Sequence, residues 1–186
     1  MKLKKFSFKS VNSTNSTAIN IIKKSNVISG IVISDNQKRG RGQYGNRWIS
    51  YKGNLFVSIF FTIDKMKISL KKITKINCYL IKKSISLYCK NKIIIKHPND
   101  LMINKKKICG ILQETFTFND HKFIIIGIGI NLIKNPEISN YPTSNLLSIT
   151  NIKINKNKIT LAIKKMYEKY IPKLLKDNIT GIGKFK

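Results

Sequence analysis

"LMINKKKICGILQETFTFNDHKFIIIGIGINLI", residues 101–133, decides the fold. It holds three apolar runs, "LMIN", "KKKICGILQETFTF" and "HKFIIIGIGINLI", separated only by polar turns at "NKKK" and "NDHK". Turns that short join neighbouring antiparallel strands; a parallel return needs a crossover of a dozen residues or more. The segment therefore reads as an antiparallel meander. Its "GIGIN" at 127–131 is no dinucleotide fingerprint, because it lies inside a strand and lacks the third glycine and the following helix.

Upstream, "KIIIKHPND" (92–100) is a strand running into a proline turn, and "NLFVSIFFTI" (54–63) is another strand. In the latter Leu55, Val57, Ile59, Phe61 and Ile63 share one face, and the other face is also largely apolar. "GIVISD" (30–35) is a short buried strand. Asn12 or Ser13 caps a helix through about residue 24, with Ala18, Ile19 and Ile22 inward. A second helix is expected over 69–90, capped by Ser69, with Ile73, Ile76 and Leu80 at helical spacing. A third follows over about 158–176, with Thr160 folding back at its start and Ile163, Met166, Tyr167 and Tyr170 inside. The expected class is α+β: a mixed, mostly antiparallel sheet with helices packed on one side. No repeat or linker interrupts the 186 residues, so they read as a single domain.

Composition narrows the function classes. Hydrophobic residues make up 42% of the chain, which argues against disorder, and no apolar run approaches a membrane span. The N-terminal lysines precede no long apolar stretch or cleavage site, so a cytoplasmic protein is expected. Cys78, Cys89 and Cys109 lack paired metal-ligand spacing and read as buried thiols. The formal net charge of +28 comes from lysines spread along the whole chain, alongside recurrent isoleucine and asparagine. That distribution is a compositional bias rather than a binding patch. It still favours anionic substrates and acidic partners.

Four segments at strand ends and turns carry chemistry. Ser13, Thr14 and Asn15 offer short donors and acceptors suited to a neutral polar ring, or simply a helix cap. "KRGRGQYGNRW" (38–48) combines Gly40, Gly42 and Gly45 with Arg39, Arg41 and Arg47 and ends in Trp48. Such a loop cradles an anion against an apolar wall. The same residue types also build nucleic-acid binders, but those segments are usually repetitive. This one is single and lies between two strong strands, which favours a folded ligand loop. "KHPND" (96–100) presents Asn99 and Asp100 from a rigid corner, as a magnesium–phosphate site or an ordinary turn. In "KKKICGILQE", Lys107 opens a strand with room beside it at Gly110, a compact charge for a phosphate or an oxyanion.

Taken in order, "STN", "GRGQYGNRW", "KHPND", "KICGIL" and "GIGIN" resemble the biotin–protein ligases, from Ser13 to about Ser148. The resemblance implies the catalytic-domain fold of the biotin/lipoate protein ligases. It also implies an ATP-dependent reaction: biotin is activated as biotinyl-5′-AMP, then transferred to a lysine of the biotin carboxyl carrier protein of acetyl-CoA carboxylase. Carried over by motif, Ser13, Thr14, Asn15 and Gln37 would hold the biotin ring. The loop from Arg41 to Gln43 would close over biotin and adenylate, Gly40 would also meet biotin, and Arg41 and Lys107 would be catalytic. Gly110, Gly127, Gly129 and Trp48 would flank the biotin tail. Arg41, Asn99, Asp100, Lys107 and Asn131 would meet the phosphates, with Asn99 and Asp100 near Mg²⁺. A monomer or homodimer is implied, with no specific nucleic acid or membrane partner.

The sequence departs from the family pattern in several places. Gln43 and Asn46 replace loop arginines, so adenylate is expected to be held less tightly. His97 replaces the usual tryptophan. Neither an N-terminal DNA-binding domain nor the small C-terminal β-barrel is expected. Within the same fold, a lipoate or octanoyl transferase is the competing reading. From a different class, the competitor is a basic nucleic-acid-binding protein.

Overall fold

A computed structural model describes residues 1–64, 66 and 68–176. Its strands are β1 (Lys4–Phe8), β2 (Ser29–Ser34), β3 (Leu55–Thr62), β4 (Ile94–Lys96), β5 (Asp100–Ile103), β6 (Lys106–Phe118) and β7 (His121–Ile130). The helices are α1 (Thr14–Lys24), α2 (Leu70–Ile85), α3 (Leu146–Thr150) and α4 (Lys156–Leu175). The strands form one sheet in the order β1-β2-β3-β7-β6-β5-β4, antiparallel throughout except for the β1–β2 pair.

The 101–133 meander is strands β5, β6 and β7. Each of its turns places two consecutive residues at positive φ: Asn104 and Lys105, then Asn119 and Asp120. That backbone matches the right-handed twist of a tight hairpin, and Asn and Asp tolerate it. The long β6–β7 pair runs from Cys109↔Ile130 to Phe118↔His121. Two elements escape the periodicity argument. β1 opens with two adjacent lysines, Lys4 and Lys5, and has a mostly exposed surface, and it is held as a strand by pairing to β2. α3 is a single turn and a half after the "NYPTSN" loop, capped by Asn145, whose side chain accepts from Ser148 N at 2.8 Å.

Helices cover both faces of the sheet, unlike the one-sided arrangement the sequence predicts. α2 and α4 pack on one face, where Ile31, Val57, Ile59, Ile124, Ile126 and Ile128 meet Ile73, Ile76, Leu80, Ile163 and Tyr167. α1 packs on the opposite face, where Ala18 and Ile22 meet Val32, Phe60, Phe123 and Ile125. The cause lies in the strands themselves. β2, β3 and β7 are apolar on both faces, so each face must be covered. α2 stops at Ile85 rather than near 90, and α4 starts at Lys156 under the Asn155 cap. Thr160 Oγ1 does fold back, donating to Lys156 O at 2.8 Å.

Tertiary polar anchors hold the site end of the sheet. Asn54 is fully buried, and its Oδ1 accepts from the backbone N–H of Leu132, Ile133 and Lys134 at 3.0–3.2 Å. Its Nδ2 donates to Lys134 O at 2.7 Å. The chain leaving β7 is thereby fixed just where the candidate site begins.

Candidate functional site

The α1 face of the sheet changes character along its length. At one end Phe60, Phe123 and Ile125 are covered by α1. At the other end the same face presents Ser58, Gly127, Gly129 and Gly110, paired across β3, β7 and β6 as Ser58↔Gly127 and Gly110↔Gly129. Small residues there leave a hollow instead of a core. A cavity of about 500 Å³ opens over them. That size falls in the range of small-molecule sites, roughly 300–1,000 Å³.

One end of the cavity is a polar cluster at the start of α1. Ser13, Thr14 and Asn15 are buried and line it. None of them is a simple cap, since Ser13 occupies the N-cap position with no side-chain cap bond. Gln37 Oε1 accepts from Thr14 N at 2.9 Å and from Thr14 Oγ1 at 3.1 Å. The Ser58 hydroxyl lies 2.7 Å from Thr14 Oγ1 and also donates to Asn15 Oδ1. Asn15 Nδ2 donates to Glu114 Oε2 at 2.6 Å. Gly127 admits this arrangement, because a Cβ there would sit 2.5 Å from Asn15 Oδ1.

The middle of the cavity is flat and apolar. The Trp48 indole lies across the paired glycines: a Cβ at Gly129 would come within 2.4 Å of the ring, and one at Gly110 within 2.6 Å. Trp48 Nε1 is buried there without a hydrogen-bond partner.

The far end is charged. Lys107 Nζ pairs with Asp100 Oδ1 at 2.9 Å. Asp100 Oδ2 accepts from the Tyr141 hydroxyl at 2.6 Å. The Lys107 ammonium stands 5.4 Å from both the Trp48 and the Tyr141 ring centroids. Burial, then the bond to Asp100 and its charge, pushes the Tyr141 phenol well above its usual range, so it remains a donor. The backbone of Lys107 is clamped on both sides, its N–H to Pro142 O at 2.8 Å and its carbonyl to Ser144 N at 2.9 Å. Asn99 Nδ2 donates to Ile111 O at 2.8 Å. Asn131 Nδ2 donates to Ser144 O, while its buried Oδ1 lacks a partner. The buried Asn131 acceptor and the Trp48 indole N–H are both placed to bond a polar ligand in the cavity.

The glycine–arginine loop is folded. Trp48 N donates to Gly40 O at 3.0 Å, Gly42 N to Asn46 O at 2.6 Å, and Arg41 bridges Arg47 in antiparallel fashion. Tyr44 and Gly45 turn the tip at positive φ. Lys38 and Arg39 anchor the base to Val11 O and Asn12 O. Arg41, Gly42, Gln43 and Arg47 line the cavity, and Arg41 pairs with Glu114 at 2.8 Å.

The structure thus gathers almost every residue singled out from sequence around one cavity; Gly40, Arg39 and Gly45 lie outside its lining. Gly40 is buried outside the lining, where a Cβ would strike Trp48 O at 2.5 Å; it lets the loop base close on itself. Sequence reasoning missed Ser58, Glu114 and Tyr141. Ser58 is the one polar residue inside an otherwise apolar strand that ends in Thr62, a signal that was available. Glu114 and Tyr141 carry no local signature and are recruited only by folding.

Fold and cavity together define the class: an α+β ligand-binding domain whose antiparallel sheet carries, on one face, a site graded from neutral polar to cationic. Residues 7–131 match the Biotin/lipoate A/B protein ligase family, and the chain belongs to that family. It is 31% identical over 128 residues to the bifunctional ligase/repressor BirA of Bacillus subtilis, a match covering 68% of this chain and 39% of that protein. It is 26% identical over 129 residues to the biotin--[acetyl-CoA-carboxylase] ligase of Paracoccus denitrificans, covering 67% and 54%. The solved biotin protein ligase of Aquifex aeolicus in complex with biotin and ATP aligns with a TM-score of 0.79 at 25% identity, covering 93% of this chain and 72% of that one. The P. falciparum LipL1 complex with lipoate shares the fold alone, with a TM-score of 0.59 at 16% identity. The chain spans less than half the length of the ligase/repressors it matches. No described helix is long and apolar enough to cross a membrane.

Proposed function

We propose that this chain is an ATP-dependent biotin–protein ligase acting on the biotin carboxyl carrier protein of acetyl-CoA carboxylase. The observation that carries the reading is the polarity gradient along one cavity: neutral donors and acceptors at Ser13–Asn15, a glycine-and-indole slot, then Lys107 and Asp100, with Arg41 lining it from the loop above. A ureido ring fits the first, an aliphatic tail the second, and a carboxylate meeting a triphosphate the third. The names of the relatives, a biotin--[acetyl-CoA-carboxylase] ligase and a biotin- and ATP-bound ligase, support the same assignment.

In the first step the biotin carboxylate oxygen attacks the α-phosphorus of ATP, and the bond to the β-phosphate breaks, releasing pyrophosphate. Both reactants are anionic and repel each other. Lys107 Nζ and the Arg41 guanidinium offset that repulsion and stabilise charge as it builds on the α-phosphate. Asp100 and Tyr141 hold the ammonium in place beforehand, so little reorganisation is needed at the moment of reaction. In the second step a neutral lysine amine of the carrier attacks the acyl carbon, the acyl C–O bond breaks so that AMP leaves with that oxygen and the bonding pair, and the proton lost by the amine passes to solvent. The buried Cys109 thiol has no part in either step.

Mg²⁺ fits the charged end on a limited footing. Asp100 and Asn99 supply oxygens, but no described group of three His, Cys, Asp or Glu side chains forms a cage. Magnesium commonly binds through one or two carboxylates plus substrate phosphates. Asn99 and Asp100 would hold it that way, and it would supply charge neutralisation to the triphosphate.

The test is incorporation of labelled biotin into an apo carrier domain with ATP and Mg²⁺, alongside calorimetry of biotin and of lipoate with and without ATP. Expected are transfer, and biotin binding that is preferred over lipoate and coupled to nucleotide. Lipoate preference would transfer the assignment to the lipoate or octanoyl branch. Binding of neither would overturn it.

A further inference from the structure

Glu114 lies on the site face of β6, and its Oε2 receives two donors from different parts of the molecule. One is Asn15 Nδ2 at 2.6 Å and the other is an Arg41 guanidinium nitrogen at 2.8 Å. We propose that Glu114 is a positioning residue serving both halves of the cavity: it orients the Asn15 amide and acts as the exchangeable counter-ion of Arg41, giving that arginine up to a phosphate when nucleotide arrives. This rests on the ligase reading of the site.

A carboxylate can only accept, so Asn15 must turn its Nδ2 toward Glu114 and its Oδ1 toward the Ser58 hydroxyl. Glu114 therefore decides which way the ring-facing amide points, through a contact that Gly127 leaves room for. The second contact differs in kind. Arg41 is 44% exposed and Glu114 28%, and they meet through one nitrogen and one oxygen. Exposed single-contact pairs contribute little, so a more highly charged phosphate competes well for the guanidinium. A separate hollow lined by Arg41 to Asn46, Leu112 and Glu114 adjoins the loop, so the arch does not pack tightly against β6. Gln43 and Asn46 stand beside Arg41 without charge, which leaves Arg41 and Arg47 as the loop cations lining the main cavity. Holding Arg41 on a carboxylate keeps it at the mouth but makes nucleotide binding a competition.

Glu114→Gln separates the two roles, because a glutamine oxygen still accepts from Asn15 while the charge is gone. Full-length chain is titrated with biotin, ATP and inorganic pyrophosphate at low and high salt. Glu114→Gln is expected to keep biotin affinity within about twofold and to tighten ATP and pyrophosphate by about two- to fivefold at low salt, a gain lost at high salt and in an Arg41→Ala background. Glu114→Ala is expected to weaken biotin as well. Unchanged or weaker phosphate binding in Glu114→Gln, or a gain that survives in Arg41→Ala, overturns the proposal. Failure of the wild-type chain to bind biotin would sink the ligase reading instead, while the pyrophosphate arm still reports the Arg41–Glu114 exchange.

Discussion

Replacing Gly129 by alanine tests the slot at the centre of the site. Gly129 lies outside the positive-φ set, so the backbone accepts alanine, and a strand interior gains from it. The obstacle is the indole: the new methyl would stand 2.4 Å from Trp48 Cε2 and 2.5 Å from Cζ2, against a normal carbon–carbon contact of roughly 3.5–4.0 Å. The ring must retreat by more than about 1 Å. It cannot slide across the sheet, because Gly110 on the paired strand is already covered by the same ring. Overpacking of this kind costs roughly 1–3 kcal/mol. If the cost falls on the ligand-bound slot, biotin affinity drops about 5- to 150-fold. Trp48 is the only tryptophan in the chain, so its intrinsic fluorescence reports the displacement directly. The expected result is a shifted emission spectrum and weakened biotin binding with a melting temperature close to wild type. Unchanged emission together with biotin affinity within twofold of wild type would refute the reasoning.

Lys107→Ala should raise the barrier to adenylate formation by about 2–4 kcal/mol, the loss of one preorganised charge, while carrier transfer from supplied biotinyl-5′-AMP suffers less; an undiminished adenylation rate removes Lys107 from the first step. Asn54→Ala should lower stability by about 3 kcal/mol, since three backbone N–H groups lose their acceptor at a fully buried position; a urea midpoint change worth under about 1 kcal/mol contradicts that anchoring role. Burial, then the Asp100 charge, pushes the Cys78 thiol up to about 12 and Cys109 well above its ordinary 9.0. The unfolded chain releases these protons near pH 9 while the folded chain keeps them, so stability falls as pH rises from about 9 toward 12. At pH 8 the folded protein should leave both thiols unlabelled by iodoacetamide, and stoichiometric labelling before unfolding would show the burial argument wrong.

What the sequence alone determined here is local. Short Asn- and Asp-bearing turns forced the 101–133 meander antiparallel, and helical spacing placed the inner faces of α2 and α4. The site was legible through ordered motifs because glycines and short polar residues stand out in an isoleucine-rich chain, and the motifs map to the start of α1, the loop after β2 and the ends of β5, β6 and β7. Periodicity could not find β1, whose strand conformation comes from pairing with β2 rather than from its lysine-rich pattern. Nor could it say which side α1 would take, because β2, β3 and β7 are apolar on both faces and welcome a helix on either. Tertiary structure decided that, and with it the site: α1 covers the bulky half of its face, and beyond it Gly110, Gly127 and Gly129 line the cavity beneath Trp48 and Asn15. It also recruited Glu114 and Tyr141, which lie 99 and 41 residues from the partners they hold, Asn15 and Asp100. Contacts that distant are set by the register of paired strands and the path of a loop, and no stretch of sequence contains both ends of them.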